Sequence, residues 1–559
     1  MRHLNEPPPI LEAQRRWEET TLKRTIQNRP ERRKEFTNES GMPLKRIYTP
    51  CDVEDLDYVS DLGFPGEYPF TRGTYATMYR GRIWSYRQIV GFGLPEEANA
   101  RIRRFVDEGL TGLIASADIN ISFGHDPDEP IVKDIIGGVG AIMPSLAEWE
   151  IYLDGLDLGK LRVSLSQTPT AVIGLGMFIA VARKRGIAID QLSGTVQNDP
   201  LNMFNAEPFP SLSVEGAMRC CMDIFEFTNK NMPKWHPVLI NGYNTKESGA
   251  TPLQELAFLL ANATCYLDEA AKRGLSVDQI APKFAFYFGV GSSFFEEIAK
   301  VRAARCMWAR IIRDRYGSAN PASMLMRYHV QTCGSTLTRQ QPLNNVVRCT
   351  LQALSAVLGG VSSLHVDSYD EAFAAPSEKA ALLSIRTQQI IAEETGVTDV
   401  IDPLAGSYYV ESLTQEMMRG AQAYLDRIDA LGGVLNCVKN HFFTREIAAA
   451  AQKYQKEIDR GERTIVGVNA YRTEEEDPID VYKPDPEIRR QAIERIQKLR
   501  ATRDQQRWKE ALDNVREAAK SKDNLVPAVV EACEAYATFA EIRNVLKEVY
   551  GEYEFPAIY

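Results

Sequence analysis

The sequence predicts an α/β protein built around a (β/α)8, or TIM, barrel, with an N-terminal arm and a C-terminal helical region. Three observations support this fold class. Short β-prone runs alternate with longer helical patterns from about residue 110 onward, the runs number eight, and distinctive polar residues are spread over most of them. An open doubly wound sheet is the alternative architecture, but the count of eight and the spread of polar residues favour a closed barrel.

The first element is an N-terminal arm, residues 1–60. It combines a triple proline, a charged helix-like segment from Leu11 to Arg24 and the run RPERRKEF. None of these pieces is apolar enough to form a core of its own. We therefore expect the arm to lie on another surface, such as that of a partner subunit.

The second element is the barrel, which we place at residues 61–410. Its eight β-prone runs are GLIASAD, RVSLSQT, LSGTVQND, VLINGY, PKFAFYF, RYHVQT, SSLHVD and the weaker TDVI. The third element, residues 411–559, follows the stretch DPLAGSYYVE and is helical and heavily charged. Charged helical faces are usually solvated, so we assign this region a structural or interface role.

Composition restricts the class of partner. The 559 residues are 44% hydrophobic and 25% charged, enough to bury a large core, and the net charge of −10 argues against nucleic acid or an anionic membrane as the main partner. The nine cysteines form no CxxC pair, which suggests reduced thiols and a cytoplasmic protein. No stretch resembles a signal peptide or a membrane span.

Polar pairs interrupt three of the predicted strands. A spacing of two places both members of a pair on one face of a strand. If that face is the bore of the barrel, the bore is polar and admits an elongated ligand, whereas any single pair is more simply explained as a strand-end feature. The pairs are Ser164 with Ser166, Thr195 with Gln197, and His329 with Gln331.

Standard catalytic signatures are scarce. The sequence contains no GxxxxGK[ST] loop, no HExxH and no GxSxG, and its six histidines have no recurrent metal-ligand spacing, so no metal site is predicted. The stretch YATMYRGRIWSYRQIVGFG is more informative. Arg82 and Arg87 carry guanidinium forks suited to phosphate oxygens, which favours a nucleotide-like anionic ligand, although arginines on a solvated helix explain the composition equally well.

A family resemblance decides between these alternatives. The stretch YPFTRGTYATMYRGRIWSYRQIVGFG closely resembles the start of the barrel in coenzyme B12-dependent acyl-CoA mutases, the methylmalonyl-CoA mutase superfamily. The likeness continues through GTVQND, NMPKW, GYNTKESGAT, FFEEIAKVRAAR, QTCGSTLT, NNVVR, SLHVDSYDEA and IDPLAGSYYVE, to the C-terminus. Members of this family hold coenzyme A through the bore of a (β/α)8 barrel, in agreement with the polar strand faces.

The resemblance implies a set of site residues. Those implied to bind the acyl-CoA substrate are Tyr75, Thr77, Met78, Arg82, Ser85, Arg87, Ile89, Ser116, Ser164, Ser166, Thr195, Gln197, Glu207, Lys234, Lys283 and His329. Those implied to face the corrin or its adenosyl group are Gly91, Glu247, Gly334 and Glu371, with Gln331 beside them. Tyr243, Asn244 and Gln331 would lie at the reacting centre. The family often has arginine where this chain has Lys283, and lysine keeps the charge but loses the fork.

The cofactor implied is adenosylcobalamin, but the histidine that ligates its cobalt is not found in this sequence. In the family that histidine belongs to a DxHxxG motif, which is absent here, and the chain stops where longer relatives continue into the cobalamin domain. We therefore expect the large subunit of a two-component mutase, inactive alone, whose cobalt ligand comes from a separate small cobalamin-binding subunit. The assembly would be a heterodimer or heterotetramer.

Four positions bear on the acyl group. In methylmalonyl-CoA mutases a tyrosine follows the RQ pair and helps an arginine bind the substrate carboxylate; here the two positions read Ile89 and, by ungapped spacing, Glu207. A carboxylate about 4 Å from Glu207 would meet a repulsion of order 4 kcal/mol at an effective dielectric near 20. Ser116 replaces the aspartate of hydroxyisobutyryl-specific members, and Asn244 replaces a histidine that bonds the thioester carbonyl.

These positions predict an uncharged, branched acyl group, with or without a hydroxyl, of the 2-hydroxyisobutyryl, isobutyryl or pivalyl type. The reaction would be a radical 1,2-rearrangement of the carbon skeleton. Two alternatives stay open. One is a dicarboxylyl substrate such as methylmalonyl-CoA, bound through another cation, and the other is a noncatalytic acyl-CoA-binding protein.

Overall fold

The structure is a computed structural model that describes residues 9–168, 170–207, 211–474, 479, 485–553 and 555. For Ile89, Val90 and Ser211 it describes the backbone alone.

A parallel barrel forms the centre of the molecule and confirms the predicted fold class. Within the described residues the main sheet has nine strands, in the order β8-β6-β5-β3-β1-β12-β11-β10-β9. These are β1 (Ser85–Val90), β3 (Gly112–Ala115), β5 (Arg162–Leu165), β6 (Ser193–Val196), β8 (Trp235–His236), β9 (Val238–Asn241), β10 (Phe284–Val290), β11 (Tyr328–Thr332) and β12 (Ser363–His365). Two small sheets pair β2 (Phe92–Gly93) with β4 (Gly140–Ala141) and β7 (Ser211–Leu212) with β13 (Glu552–Tyr553).

The sheet closes at Pro237. The strands β8 and β9 follow one another along the chain on either side of this residue, and they pair with β6 and β10 respectively. Proline has no backbone N–H to donate, so the ladder is interrupted where it stands. The two short strands are therefore halves of one position, and the nine strands occupy the eight positions of a barrel.

Seven of the eight predicted runs form barrel strands, and the eighth prediction is wrong. The run TDVI lies in turns after the last barrel helix. Its place is taken by β1, which lies in the arginine-rich stretch and pairs with both β12 and β3. Because β12 already bonds β1 in the register Ser85↔Ser363, no edge is left for a further strand.

Helices follow the strands in the alternation that the sequence predicts. Among the described residues, those up to the end of the barrel are α1 (Pro9–Trp17), α2 (Lys23–Asn28), α3 (Pro95–Asp107), α4 (Ile119–Ser122), α5 (Leu146–Tyr152), α6 (Ala171–Lys184), α7 (Pro200–Ala206), α8 (Val214–Asn231), α9 (Tyr243–Glu247), α10 (Pro252–Lys272), α11 (Val277–Ile280), α12 (Phe294–Arg310), α13 (Pro321–Met324), α14 (Asn344–Leu358) and α15 (Glu378–Glu394). The longer ones cover the outside of the sheet. Local signals define their ends: Thr251 caps α10, with Pro252 in its first turn.

The C-terminal region is helical and packs on the barrel. Its helices are α16 (Tyr408–Ala430), α17 (Val434–Lys439), α18 (Phe442–Asp459), α19 (Pro486–Thr502), α20 (Gln505–Lys520), α21 (Leu525–Glu534) and α22 (Phe539–Tyr550). The helix α16 lies on α10 and α12, and α21 lies on α6. This explains why α6 is apolar on every side: it is buried between the strands and a second helical layer.

The N-terminal residues divide into two parts. A helical run over residues 9–28 contains α1 and α2 and buries none of its side chains. Residues 37–43 instead lie on the barrel of the same chain, where Glu39 pairs with Lys246 and its backbone N–H donates to Glu296. No helix within the described residues is long and apolar enough to cross a membrane.

Candidate active site

A cavity of about 1350 Å³ occupies the bore of the barrel. Its lining runs from residues at the starts of the strands, such as Ser85 and Ser193, to residues beyond their ends, such as Asn244 and Glu371. A TIM barrel is usually filled by bulky side chains. This one is open along its axis, because small polar residues replace them.

Most of the residues predicted from the sequence line this cavity. They are Tyr75, Thr77, Met78, Arg82, Ser85, Arg87, Ser116, Ser164, Ser166, Thr195, Gln197, Glu207, Lys234, Tyr243, Asn244, Lys283, His329, Gln331 and Glu371. Gly91, Glu247 and Gly334 lie at the C-terminal ends of the strands, outside the lining itself. The predicted role of the Ile89 side chain falls outside the described part of the chain; its backbone pairs with Ile114 in the sheet.

The polar pairs of the strands line the bore, and several of their side chains bond residues of the neighbouring strand. Ser164 and Thr195 are register partners on β5 and β6, and their hydroxyl oxygens are 2.8 Å apart. His329 on β11 lies with its Nδ1 2.9 Å from the Oγ of Ser363 on β12. Burial and the neighbouring Arg87 lower the pKa of His329 well below its usual range, so this imidazole is neutral. The middle of the bore is therefore polar, and the hydroxyl groups of Ser164 and Thr195 pair with each other there.

Cations gather where the strands begin. The cavity lining there includes Arg82, Arg87, Arg162, Lys234, Lys283 and Arg327. Sequence reasoning missed Arg162 and Arg327. The signal was available: Arg162 is the first residue of β5, and Arg327, like Lys283, directly precedes a strand.

Arg87 is the most deeply placed of these cations. Burial, together with the nearby Arg162, lowers its pKa to about 10, and its Nε has no hydrogen-bond partner among the described residues. A Cβ at Gly112 would lie 3.3 Å from the Arg87 Cζ, so this glycine provides room for the guanidinium. A buried cation without an anionic partner is costly, and a bound anion would satisfy it.

Arg305 fixes the segment that carries Tyr75, Thr77 and Arg82. This buried arginine on α12 donates to the carbonyl oxygens of Phe70 and Thr71, at 2.9 and 2.7 Å. It also donates to the Gly359 carbonyl oxygen at the end of α14, at 2.6 Å. The loop at the N-terminal mouth of the bore is thus tied to two barrel helices.

A connected polar network lies at the C-terminal end of the bore. Gln331 donates through Nε2 to the Tyr243 hydroxyl at 3.0 Å and to Asp367 at 2.8 Å, and the Tyr287 hydroxyl donates to its Oε1. The rings of Tyr243 and Tyr287 stack with centroids 5.0 Å apart. Sequence reasoning missed Tyr287 and Asp367. The period of two along β10 points to Tyr287, and Asp367 follows β12 almost directly.

Two carboxyl groups flank a glycine beside this network. Glu247 accepts hydrogen bonds from the N–H and the hydroxyl of Ser335, both at 3.0 Å. A Cβ at Gly334 would lie 3.4 Å from the Glu247 Oε2 and 3.5 Å from the Glu371 Cγ. Burial, helped by Asp367, raises the pKa of Glu371 to about 8, so this group is largely protonated at neutral pH.

Glu207 and Asn244 meet at the same end of the cavity. Glu207 directly follows α7, Asn244 lies on α9, and the Asn244 Nδ2 donates to the Glu207 Oε1. Burial, together with Asp199, raises the pKa of Glu207 to about 7. Ser116 also lines this part of the cavity. The C-terminal end therefore presents hydrogen-bonding groups, and the described lining residues contribute no cation to it.

Comparison with known proteins gives consistent matches over most of the chain. The sequence model of the family described as methylmalonyl-CoA mutase matches residues 37–552. The chain is 41% identical to the 2-hydroxyisobutanoyl-CoA mutase large subunit of Aquincola tertiaricarbonis, over 97% of both chains. It is 42% identical to methylmalonyl-CoA mutase of Rhizobium meliloti, over 92% of this chain and 72% of that one. It is 37% identical to the mitochondrial methylmalonyl-CoA mutase of Homo sapiens, over 92% of this chain and 68% of that one.

Proposed function

Because the chain belongs to the methylmalonyl-CoA mutase family, we propose that it is the large, acyl-CoA-binding subunit of an adenosylcobalamin-dependent acyl-CoA mutase. The reaction is a radical 1,2-rearrangement of the carbon skeleton of a short, uncharged acyl group that is branched or hydroxylated. The observation that carries this proposal is the polarity of the cavity. Cations lie at its N-terminal end, and neutral or acidic hydrogen-bonding groups lie at its C-terminal end.

Coenzyme A matches this polarity along its length. Its phosphates are anionic, its pantetheine arm is neutral with amide groups, and its thioester is at the far end. Phosphates at Arg82, Lys283 and the other cations would leave the arm beside Ser164 and Thr195, and the acyl group beside Tyr243 and Asn244. The molecule would therefore enter by the N-terminal mouth with its reactive end at the C-terminal edge of the strands.

The C-terminal edge fits adenosylcobalamin on the chemistry of its side chains. The missing Cβ of Gly334 leaves a shallow surface between two carboxyl groups, Glu247 and Glu371, which can accept hydrogen bonds from ribose hydroxyls. At Gly91 a Cβ would lie 3.0 Å from the Ser116 carbonyl oxygen, so a residue without a side chain allows the chain to pass close to Ser116 there. When bound, the cofactor supplies the radical chemistry of hydrogen abstraction.

The chain's own residues position the acyl group for that chemistry. Asn244 has two N–H groups on its side chain, of which one is directed to Glu207 and the other is available to the thioester carbonyl. Gln331 is fixed by Tyr243, Tyr287 and Asp367, so the wall around the acyl group is ordered before substrate arrives. The enclosure of the bore excludes water from reactive species.

The partner in this proposal is a separate small subunit that binds cobalamin and supplies the cobalt ligand, in a heterodimer or heterotetramer. The relative named as a large subunit supports it, since the match covers 97% of both chains. We also infer a cytoplasmic location, because all nine cysteines are free thiols and eight of them are buried.

A dicarboxylyl-CoA is the second candidate substrate. It is favoured by the pKa of about 7 at Glu207, since the protonated form would not repel a carboxylate. It is opposed by the absence of a cation among the described residues at the C-terminal end of the lining. A noncatalytic acyl-CoA binder is a weaker candidate, because binding alone does not need the network around Gln331.

The test is product formation, followed by mass spectrometry, with the chain, a cognate small subunit, adenosylcobalamin and a panel of thioesters. The panel contains the methylmalonyl, isobutyryl, pivalyl, 2-hydroxyisobutyryl and 3-hydroxybutyryl esters of coenzyme A. We expect turnover of an uncharged ester, none of the methylmalonyl ester, and none when adenosylcobalamin or the small subunit is omitted. Methylmalonyl turnover would support the second candidate, and no turnover by a demonstrably assembled complex would refute the mutase proposal.

A further inference from the structure

The C-terminal end of the cavity contains the carboxyl group of Glu207, which accepts a hydrogen bond from Asn244 through one of its two oxygens. The Oε1 of Glu207 accepts a hydrogen bond from Asn244, while no hydrogen bond joins its Oε2 to another described residue. Glu207 lines the cavity, so this oxygen belongs to the wall against which an acyl group would lie. A carboxyl oxygen in the wall of a cavity is in a position to hydrogen-bond a polar group of the bound ligand.

We infer that Glu207 determines specificity by hydrogen-bonding a hydroxyl group on the carbon next to the thioester, and that Asn244 is the positioning residue that holds it there. This inference rests on the proposed function and names the substrate class within it. It selects hydroxylated acyl groups from the branched, uncharged groups that the cavity admits.

The chemistry of the pair matches a 2-hydroxyacyl thioester. Such a thioester carries a carbonyl oxygen and a hydroxyl on adjacent carbons. Asn244 provides one N–H for the carbonyl and uses the other to hold Glu207, so the two side chains present a donor and a carboxyl group side by side. A carboxylate accepts the substrate O–H, and a carboxylic acid donates to the hydroxyl oxygen, so the contact forms in both protonation states of Glu207.

The same geometry rejects the competing acyl groups. In place of the hydroxyl, an isobutyryl group has a hydrogen and a pivalyl group a methyl, and neither forms a hydrogen bond with the Glu207 carboxyl. Sites that hydrogen-bond a substrate hydroxyl discriminate strongly against analogues without one, since their own polar groups are left unpaired. A substrate carboxylate meets the ionised form of Glu207 as a like charge.

The experiment is equilibrium binding of 2-hydroxyisobutyryl-CoA and isobutyryl-CoA to the full chain, measured by calorimetry, and then kcat/KM for both esters in the assembled holoenzyme. For Glu207→Leu, which removes the carboxyl at similar size, we expect the preference for the hydroxylated ester to fall about 10- to 100-fold. Glu207→Gln keeps donor and acceptor capacity and should retain most of the preference. Glu462→Gln makes the same change at an exposed position, and it should leave the affinities for both esters unchanged.

Asn244→Ala tests the positioning role. It should reduce the preference for the hydroxylated ester while affinity for coenzyme A itself stays the same, a pattern that general loss of structure would not produce. The inference is overturned if Glu207→Leu lowers the affinities for both esters by the same factor, or if it leaves both affinities unchanged. Binding distinguishes this failure from failure of the mutase proposal: an inactive wild-type complex that still prefers the hydroxylated ester refutes catalysis and keeps the role of Glu207.

Discussion

Arg87 brings a cation into the bore, and among the described residues no carboxylate forms an ion pair with it. Its pKa, lowered to about 10, reflects the cost of burying the charge beside Arg162. Such a cost is tolerated where a ligand supplies the missing anion, because functional sites are often built at the expense of stability. Arg87 thus destabilises the free protein and stabilises the complex with an anionic ligand.

Replacement of Arg87 should therefore separate affinity from stability. In Arg87→Met we expect affinity for coenzyme A to fall about tenfold or more, since hydrogen bonds to charged groups contribute roughly 1.5–3 kcal/mol. The free chain should unfold at the same temperature or higher, because the buried charge is gone. Calorimetric titration and thermal unfolding measure the two effects. Arg507→Met, at an exposed position on α20, should change neither, and an Arg87→Met variant that loses stability and affinity together would contradict this account.

Glu371 gives a pH dependence with a definite sign. Its pKa is raised from 4.5 to about 8, so between these values the folded protein holds a proton that the unfolded chain has released. The stability contributed by this group is complete below about pH 4.5 and is lost as the pH rises towards 8. The expected slope is on the order of −1 kcal/mol for each pH unit.

In Glu371→Gln this part of the slope should disappear. Urea unfolding of the full chain at pH 5.5, 6.5 and 7.5 should show a smaller loss of stability for the variant than for the wild type. Glu394→Gln, a substitution of the same kind at an exposed position late in α15, provides the matched comparison and should keep the wild-type slope. An unchanged slope in Glu371→Gln would mean that the carboxyl is ionised in the folded protein at neutral pH.

At the scale of elements, the short helix α9 is held in place by a distant part of the chain. Lys246, only 6% exposed, lies between Asn244 and Glu247 on this helix. Burial alone would lower its pKa, but the carboxylates of Glu39 and Glu297 outweigh burial and raise it. Glu39 is itself held, since its N–H donates to Glu296 at 2.9 Å. Residues near 39 thereby support the helix that carries three of the proposed site residues.

Removing the Glu39 charge should loosen that support. In Glu39→Gln, Lys246 keeps only the longer pair with Glu297, at 3.9 Å. We expect a loss of roughly 1–3 kcal/mol in stability, typical of a buried charge that loses one partner but keeps another, and a weaker affinity for acyl-CoA. Urea unfolding and calorimetric titration measure these effects. Glu35→Gln, exposed in the same segment, should behave as wild type; equal effects of both substitutions would remove the special role of Glu39.

The same contacts show why part of the site was beyond sequence reasoning. Strand periodicity and turn residues are local, so they located seven barrel strands and the polar faces of β5, β6 and β11. The prediction of a strand at TDVI was wrong because a run of four residues is too short for its pattern to exclude a turn. The pairing of Glu39 with Lys246 spans 207 residues and that of Glu207 with Asn244 spans 37. Such contacts depend on how the chain closes on itself, which no local pattern contains.

At the scale of the whole molecule, the two ends of the barrel differ in character. The N-terminal end is cationic, whereas an apolar surface flanks the C-terminal end. Ile131, Ile135 and Val139 form this surface and are 72%, 58% and 57% exposed. Val139 also lines the cavity, so the surface reaches its opening. Exposed apolar side chains grouped beside a binding site are typical of protein interfaces.

We expect the small cobalamin-binding subunit to cover this surface, because the proposed reaction needs the cofactor at the C-terminal opening. A charged side chain at the centre of the surface should then oppose assembly. For Ile135→Arg we predict at least a tenfold weaker association with a cognate small subunit in the presence of adenosylcobalamin, since the new guanidinium would be desolvated without a partner. Affinity for coenzyme A should not change, because that ligand enters from the other end.

Ile390→Arg is the matched control: Ile390 is 47% exposed and lies late in α15, near the N-terminal end of the strands. Analytical ultracentrifugation of the mixed subunits measures both variants. If Ile390→Arg weakens assembly and Ile135→Arg does not, the cofactor-bearing partner binds elsewhere, and the radical would have to reach the acyl group by a route other than the C-terminal opening.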